Sequence, residues 1–317
     1  MNFTTWAVIG TGALGGYYGA RLQQAGADVH FLLNSDCDHV RRHGLRIESV
    51  NGDFELPQVN AYQNADDLPA CDVTVVALKA THNHLLPKLL PPPTRDGGLV
   101  VVLQNGLGVD EAAAEIVGPD KVVGGLCFIC SNKVRPGHIH HLDYGRITLG
   151  EYTADQQSGG LTDRLARLQA DFERAAIPIA LTPDLLEARW KKLVWNIPFN
   201  GLSVVLNAST VEMITRPPTR AISVALMEET LAAAAAVHNR HIPPTFIDDM
   251  VSATEQMKPY QPSMKLDFDA GRSLEIEAIY GQPLRLAQQA KLDVPRLEML
   301  YHQLKFLNDR QMTRKNS

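Results

Sequence analysis

Cysteine is scarce in this chain of 317 residues: Cys37, Cys71, Cys127 and Cys130 are too few for a disulfide scaffold. No block of Lys and Arg occurs, and the net charge of -5 argues against a nucleic-acid partner, because neutralising phosphates takes clustered cations. The first residues lack a charged n-region followed by an apolar core and a cleavage site. No apolar run approaches bilayer-spanning length. Internal repeats and long low-complexity tracts are missing as well. The default expectation is a soluble, cytoplasmic protein with reduced thiols and neither a nucleic-acid nor a membrane partner. What the chain has in quantity is apolar residues, 45%, enough to bury a core in one large domain or two ordinary ones.

Strand-like and helical patterns alternate in the first half. "WAVIG", "DVHFLL", "CDVTVVAL", "GLVVVLQNG" and "KVVGGLCFI" have the length and β-branched content of buried parallel strands. Between the first two lies a helical stretch with Ala20, Leu22 and Ala25 on its packing face and Gly26 as its stop. "HIHHLDYGRITLGEY" alternates and reads as a hairpin, "LTDRLARLQADFERAAI" as an amphipathic helix, and "PIALTPD" as a short last strand. "LLPPPTRDGG" reads as a surface loop. From Pro183 and Asp184 onward the segments read as helices. The fold class expected is α/β: a Rossmann-type dinucleotide-binding domain over residues 1–183, then an all-helical substrate domain over 184–317.

Gly10-Thr11-Gly12-Ala13-Leu14-Gly15 matches G-x-G-x-x-G between a strand and a helix, with a second strand beyond. Gly10 permits the tight turn, Gly12 lets a pyrophosphate approach the backbone, and Gly15 allows close helix–strand packing. The helix N-terminus then offers unpaired N–H groups to phosphate oxygens. An NAD site usually ends its second strand with Asp or Glu for the ribose 2′-hydroxyl. Here the strand ends Leu32-Leu33-Asn34-Ser35-Asp36, which tilts the reading toward NADP unless Asp36 belongs to that loop. Arg41 and Arg42 could reach a 2′-phosphate or could be solvated helix charges.

Further stretches narrow the reading. "ALKATHN" follows the third strand, "LQNGLG" the fourth, "RWKKLVWNIPFNGLS" opens the helical half, and "YQPSMKLDFDAGRSLEIEAIYG" lies near residue 270. In this order they resemble the ketopantoate reductase family (2-dehydropantoate 2-reductase) over nearly the whole chain. The resemblance implies an NADPH-dependent reductase of a small 2-oxo acid, converting 2-dehydropantoate to pantoate in pantothenate biosynthesis. Its active site would lie in the cleft between the two domains.

Lys192, Asn196 and Asn200 follow i, i+4, i+8 spacing and drift only about 40° per step, so they share one stripe of a helix. Their apolar neighbours suggest burial, where amides and an ammonium need hydrogen-bonding partners. Either a polar substrate or a polar seam between helices would serve. Pro198 should kink this helix or free the Val194 carbonyl. The resemblance makes Lys192 the proton donor to the carbonyl oxygen and Asn196 and Asn200 the substrate amides. Lys191, about 100° away, is then a solvated charge.

The same resemblance places Glu275 beside the substrate hydroxyl and the cofactor, with Glu277 as an exposed helix charge. It gives Ser263 the substrate carboxylate, sets Asn105 between nicotinamide and substrate, and has Lys79 grip the NADP phosphate. Cys130 would meet the cofactor through its backbone. The family commonly has Arg where this chain has Asn34, so a weakened NADPH selectivity is expected; a preference of the order of a hundredfold or more would count against it.

Cys127 and Cys130 have redox-motif spacing, but residues three apart on a strand face opposite sides, and no second pair is present for zinc. Small buried hydrophobes are the expectation. His138, His140 and His141 in the hairpin and His82 and His84 in a loop read as solvated, with no metal site. Val204, Val205 and Leu206 leave a branched or larger oxo acid open as substrate. The helical half could pack against a twin, so a homodimer stays open. Two alternatives stand beside the reductase: another β-hydroxy-acid dehydrogenase, and a dinucleotide sensor that catalyses nothing. A sensor would need only the glycine loop.

Overall fold

A computed structural model describes residues 1–257 and 261–316. The chain folds as two compact units, one formed by residues 1–104 and 109–185, the other by residues 105–108 and 186–317.

The first unit is a ten-stranded sheet with helices. Its strands are β1 (Thr5–Ile9), β2 (Asp28–Leu32), β3 (Leu45–Ser49), β4 (Phe54–Leu56), β5 (Asn60–Tyr62), β6 (Val73–Val76), β7 (Leu99–Val102), β8 (Val122–Arg135), β9 (His138–Glu151) and β10 (Ile179–Leu181). Its helices are α1 (Ala13–Gln24), α2 (Cys37–His43), α3 (Leu86–Leu89), α4 (Pro91–Thr94), α5 (Val109–Val117) and α6 (Asp163–Arg174). Strand order is β4-β3-β9-β8-β7-β6-β1-β2-β5, with β10 on β9. From β7 to β5 every pairing is parallel, which explains the unbroken apolar runs in these strands. β1 has β2 on one side and β6 on the other, so the chain reverses its winding there. Open α/β sheets bind ligands at the carboxyl ends of strands at such a point.

Two elements differ from the sequence expectation. "HIHHLDYGRITLGEY" is not a hairpin by itself but one arm of a longer one, β9, paired antiparallel along β8. The two-residue turn Pro136-Gly137 lies between arms whose alternation is interrupted by three register shifts. The strand expected at "KVVGGLCFI" is the first part of β8, parallel to β7 over Val122–Gly124. Bulges of this kind bend and twist a strand, and they hid its continuation to Arg135 and its antiparallel pairing with β9. "LLPPPTRDGG" is not a surface loop throughout. Pro91–Thr94 makes a helical turn, with Leu90, Pro93 and Thr94 buried, because proline suits the first helical turn.

One core holds this unit together. Trp6 packs edge-on to Phe172 at 5.3 Å, and both are fully buried with Val8, Phe31, Ile47 and Ile147. The Asp171 carboxylate on α6 accepts the backbone N–H groups of Asn2 and Phe3, each at 2.8 Å, so α6 anchors the chain just before β1, the middle strand of the parallel run.

The second unit is helical: α7 (Leu185–Val205), α8 (Thr210–Thr215), α9 (Pro217–His238), α10 (Thr245–Glu255), α11 (Ser263–Asp269), a π-helical segment Glu277–Gly281, α12 (Gln282–Gln289) and α13 (Pro295–Asn316). Its own core gathers Trp190, Leu193, Ile197, Phe199, Met227, Ala234, Ile279 and Leu304. Glu229 of α9 accepts the first N–H groups of α13, Leu297 N at 2.8 Å and Arg296 N at 3.1 Å, capping that helix from a distance. The sequence expectation that no run approaches membrane-spanning length needs correction, because α9 is long and apolar enough by length and composition. Half of its apolar window is buried inside the protein, as in a core helix.

Candidate active site

The glycine loop leaves β1 at the switch point and turns into α1. Gly10 has φ +96°, and a Cβ there would lie 2.6 Å from Leu78 Cα. The loop therefore packs against the segment that carries Lys79. A Cβ on Gly15 would lie 2.9 Å from Val8 Cγ1, which is the close helix–strand contact that its motif position demands. Gly12 differs: a Cβ there would meet nothing within 4 Å. Thr11 is buried and its hydroxyl donates to Leu32 O at 3.0 Å, fixing the loop to the end of β2. Ala13 and Leu14 open α1, whose first turn carries no acidic residue and no side-chain cap. Open space over Gly12 and uncapped amides of a twelve-residue helix fit a dinucleotide pyrophosphate.

Around this loop, Asn34 lies exposed just after β2. Asp36 does belong to the loop beyond β2; it is buried and forms an ion pair with Lys133 of β8. Arg41 donates to Ala61 O at 2.9 Å and Arg42 to Asp38 O at 3.0 Å. Lys79, half-buried, precedes the 3₁₀ turn Ala80–Leu85. The Gln104 amide braces that turn by donating to Leu78 O at 2.8 Å and Asn83 Oδ1 at 2.7 Å. Cys130 is buried on β8 opposite Asp143. All four cysteines are buried thiols outside any disulfide, and burial pushes the Cys71 thiol up to about 12.

In the helical unit, Lys192 is half-buried while Asn196 and Asn200 are buried on the same stripe of α7. The helix runs unbroken through Pro198, and the Tyr280 hydroxyl donates to the carbonyl of Ile197 at 3.1 Å. Asn200 is 2% exposed and its Oδ1 has no hydrogen-bond partner among the described residues. A buried acceptor left without a donor costs about 1–3 kcal/mol, so this oxygen is poised for a ligand donor. Lys191 is not the solvated charge expected: half-buried like Lys192, it pairs with Glu187 at 2.5 Å and lies over the Phe246 ring at 5.8 Å.

Glu275 is buried immediately before the turn that opens into the π-helical segment. Three residues on, Ala278 O accepts Leu107 N at 2.9 Å, and a Cβ on Gly106 would strike the same residue. Asn105 is thus brought close to the Glu275 segment by backbone contact. Glu277 is exposed, bonded to Arg285, Tyr301 and Lys305. Ser263 is exposed as the first residue of α11; no distance places it with the α7 stripe.

The histidine expectation fails at two positions. His141 is fully buried, bonded to Ser49 Oγ at 2.8 Å and to the carbonyls of Asp143 and Tyr144. His138 is buried against Arg135 Nε at 2.9 Å and Glu48 at 3.2 Å. The strand pattern could not show this, because Ser49 and Glu48 come from β3, far earlier in the chain. His82 and His84 lie in a 3₁₀ turn, not an open loop. Among the described residues, no group of three or more His, Cys, Asp and Glu side chains is arranged to hold a metal. Sequence reasoning also missed Lys133, whose partner is about a hundred residues away, and His238, which accepts the indole N–H of Trp190 at 2.8 Å.

A glycine loop at the switch point of a largely parallel sheet, followed by a helical unit carrying a lysine and two amides on one stripe, defines a Rossmann-type dinucleotide-dependent oxidoreductase. Residues 6–154 match the family described as ketopantoate reductase PanE/ApbA, and residues 184–308 match its C-terminal part. The chain belongs to the ketopantoate reductase family. A 2-dehydropantoate 2-reductase of Nostoc sp. is 57% identical over 313 residues, 99% of this chain and 98% of the relative. The crystal structure of 2-dehydropantoate 2-reductase from Geobacter metallireducens superposes with a TM-score of 0.90 at 41% identity, covering 95% of this chain and 99% of that one. That from Methylococcus capsulatus gives 0.84 at 34% identity, covering 97% of each.

Proposed function

We propose that this chain reduces 2-dehydropantoate to pantoate with NADPH, in the cytoplasm, as a step toward pantothenate. Membership of the family and the 57% identical 2-dehydropantoate 2-reductase support the reaction. The observation that carries it to residues is the α7 stripe, a half-buried Lys192 followed by two buried amides, one with an unpartnered oxygen. When bound, the dinucleotide supplies hydride to the ketone carbon. Lys192 Nζ then stabilises the charge gathering on the carbonyl oxygen and gives it a proton, recovered afterwards from solvent. Asn196 and Asn200 orient the substrate by donating to and accepting from its oxygens. Ser263 holds the substrate carboxylate, and Glu275 accepts from the substrate hydroxyl and favours the charged form of Lys192. In the sheet unit, the glycine loop takes the pyrophosphate. Lys79 would support the phosphate-bearing ribose beside a neutral Asn34, and the Cys130 backbone would border the cofactor; Asn105, which belongs to the helical unit, would serve between nicotinamide and substrate.

The test is oxidation of NADPH or NADH, followed by absorbance, with a panel of 2-oxo acids that includes 2-dehydropantoate and larger branched analogues. Turnover fastest with 2-dehydropantoate and NADPH is expected. Dinucleotide binding with no oxidation on any oxo acid would sink the reductase reading in favour of a sensor.

A further inference from the structure

A Rossmann fold aims an acid at the ribose about twenty residues past its glycine fingerprint. This chain has one there, Asp36, but it is already engaged. It is 7% exposed, pairs with Lys133, and accepts Gly137 N at 3.4 Å. The same ammonium donates to Thr11 O at 3.2 Å. One cation therefore joins the glycine loop, which receives a pyrophosphate, to the turn after β2, which receives the ribose. Lys133 reaches this place because register shifts after Cys130 and after Lys133 bend the end of β8, and bulges re-aim side chains. Ser131 Oγ, donating to Ala13 O at 3.4 Å, sets the strand against the start of α1.

Charge decides which ribose this turn accepts. A bare carboxylate would bond a 2′-hydroxyl and repel a 2′-phosphate; a neutralised one does not repel. The exposed neighbours Asn34 and Ser35 supply no cation, and Arg41 and Arg42 are hydrogen-bonded to backbone carbonyls. The Lys133 side chain remains 28% exposed, so its charge is felt at the surface.

We propose that Lys133 is a specificity-determining residue for the dinucleotide: by masking Asp36 it admits the phosphate-bearing ribose of NADPH. The proposal rests on the dinucleotide reading above. It is tested by titrating the full-length protein with NADPH and with NADH, following nicotinamide fluorescence, and taking the ratio of the two Kd values. Asp36→Asn, which frees the ammonium, should raise the preference for NADPH about tenfold, and Lys133→Met should lower it about tenfold. Because Lys133→Met strands a buried carboxylate and could unfold the unit, the pair D36N/K133M serves as its companion. With both charges gone, its ratio should stay within about threefold of the parent. An unmoved ratio in Asp36→Asn overturns the proposal, as does equal weakening for both dinucleotides in a folded Lys133→Met. A parent protein that binds neither dinucleotide fails differently, since no ratio exists, and it removes the functional reading together with this one.

Discussion

His238 accepts the Trp190 indole proton at Nδ1, so it must be unprotonated there, and its environment favours that state. Burial first, then the Arg240 guanidinium, holds its pKa below the ordinary histidine value. The sign follows from linkage: as pH falls through about 6.5, the unfolded chain takes up a proton that the folded one refuses. Stability contributed at neutral pH is therefore lost progressively below that point, until the folded imidazole also protonates. Urea unfolding monitored by tryptophan fluorescence should show a stability that declines below about pH 6.5. His238→Gln, which can still accept the indole proton but does not titrate, should flatten that decline. An unchanged profile in the variant would assign the acid sensitivity elsewhere. At this scale the sequence was partly legible. The shared stripe of Lys192, Asn196 and Asn200 on α7 followed from their spacing, whereas His238 and Lys133 bond to partners far along the chain, and no local pattern connects them.

The glycine loop was the most legible element, because its motif encodes a backbone path and not a packing arrangement. Its three glycines nonetheless serve different ends, and substitution should separate them. Gly12→Ala adds a methyl to open space at an ordinary extended backbone angle. It should leave the melting temperature unchanged while weakening NADPH binding at least about tenfold, because the methyl occupies the pyrophosphate approach. Gly10→Ala meets Leu78 at a positive φ and should cost roughly 1–3 kcal/mol from strain alone, with a lowered melting temperature as well as lost binding. A Gly12→Ala protein that binds NADPH normally would contradict the loop's assigned role. The long hairpin was the least legible element: alternation identified β9 and an apolar run the start of β8, but the bulges that let β8 bend toward the loop broke the period in its second half and hid the pairing of the two.

At the scale of the molecule, two separate cores divide the proposed labour. On that reading the sheet unit would hold the dinucleotide, and the helical unit would supply the proton. Lys192→Ala should accordingly lower kcat by roughly 10²–10⁴ while NADPH affinity, measured by fluorescence, stays near that of the parent. Loss of binding together with turnover would mean that the lysine supports the fold or the cofactor instead. The change from strand to helix texture near Asp184 was readable because periodicity shifts there from runs to amphipathic repeats. The transfer of residues 105–108 to the helical unit was not, since Gly106 and Leu107 make their backbone contacts with Ala278, and such pairings leave no local trace.

The grip of Asp171 on the amides of Asn2 and Phe3 has a consequence during synthesis. The middle strand of the parallel run, β1, leaves the ribosome long before its supports: the carboxylate that anchors it and the Phe172 ring that covers Trp6 emerge about 170 residues later. Until then an apolar segment waits without its lid, so newly made chains should depend on slow, late closure and be most open to chaperones before α6 appears.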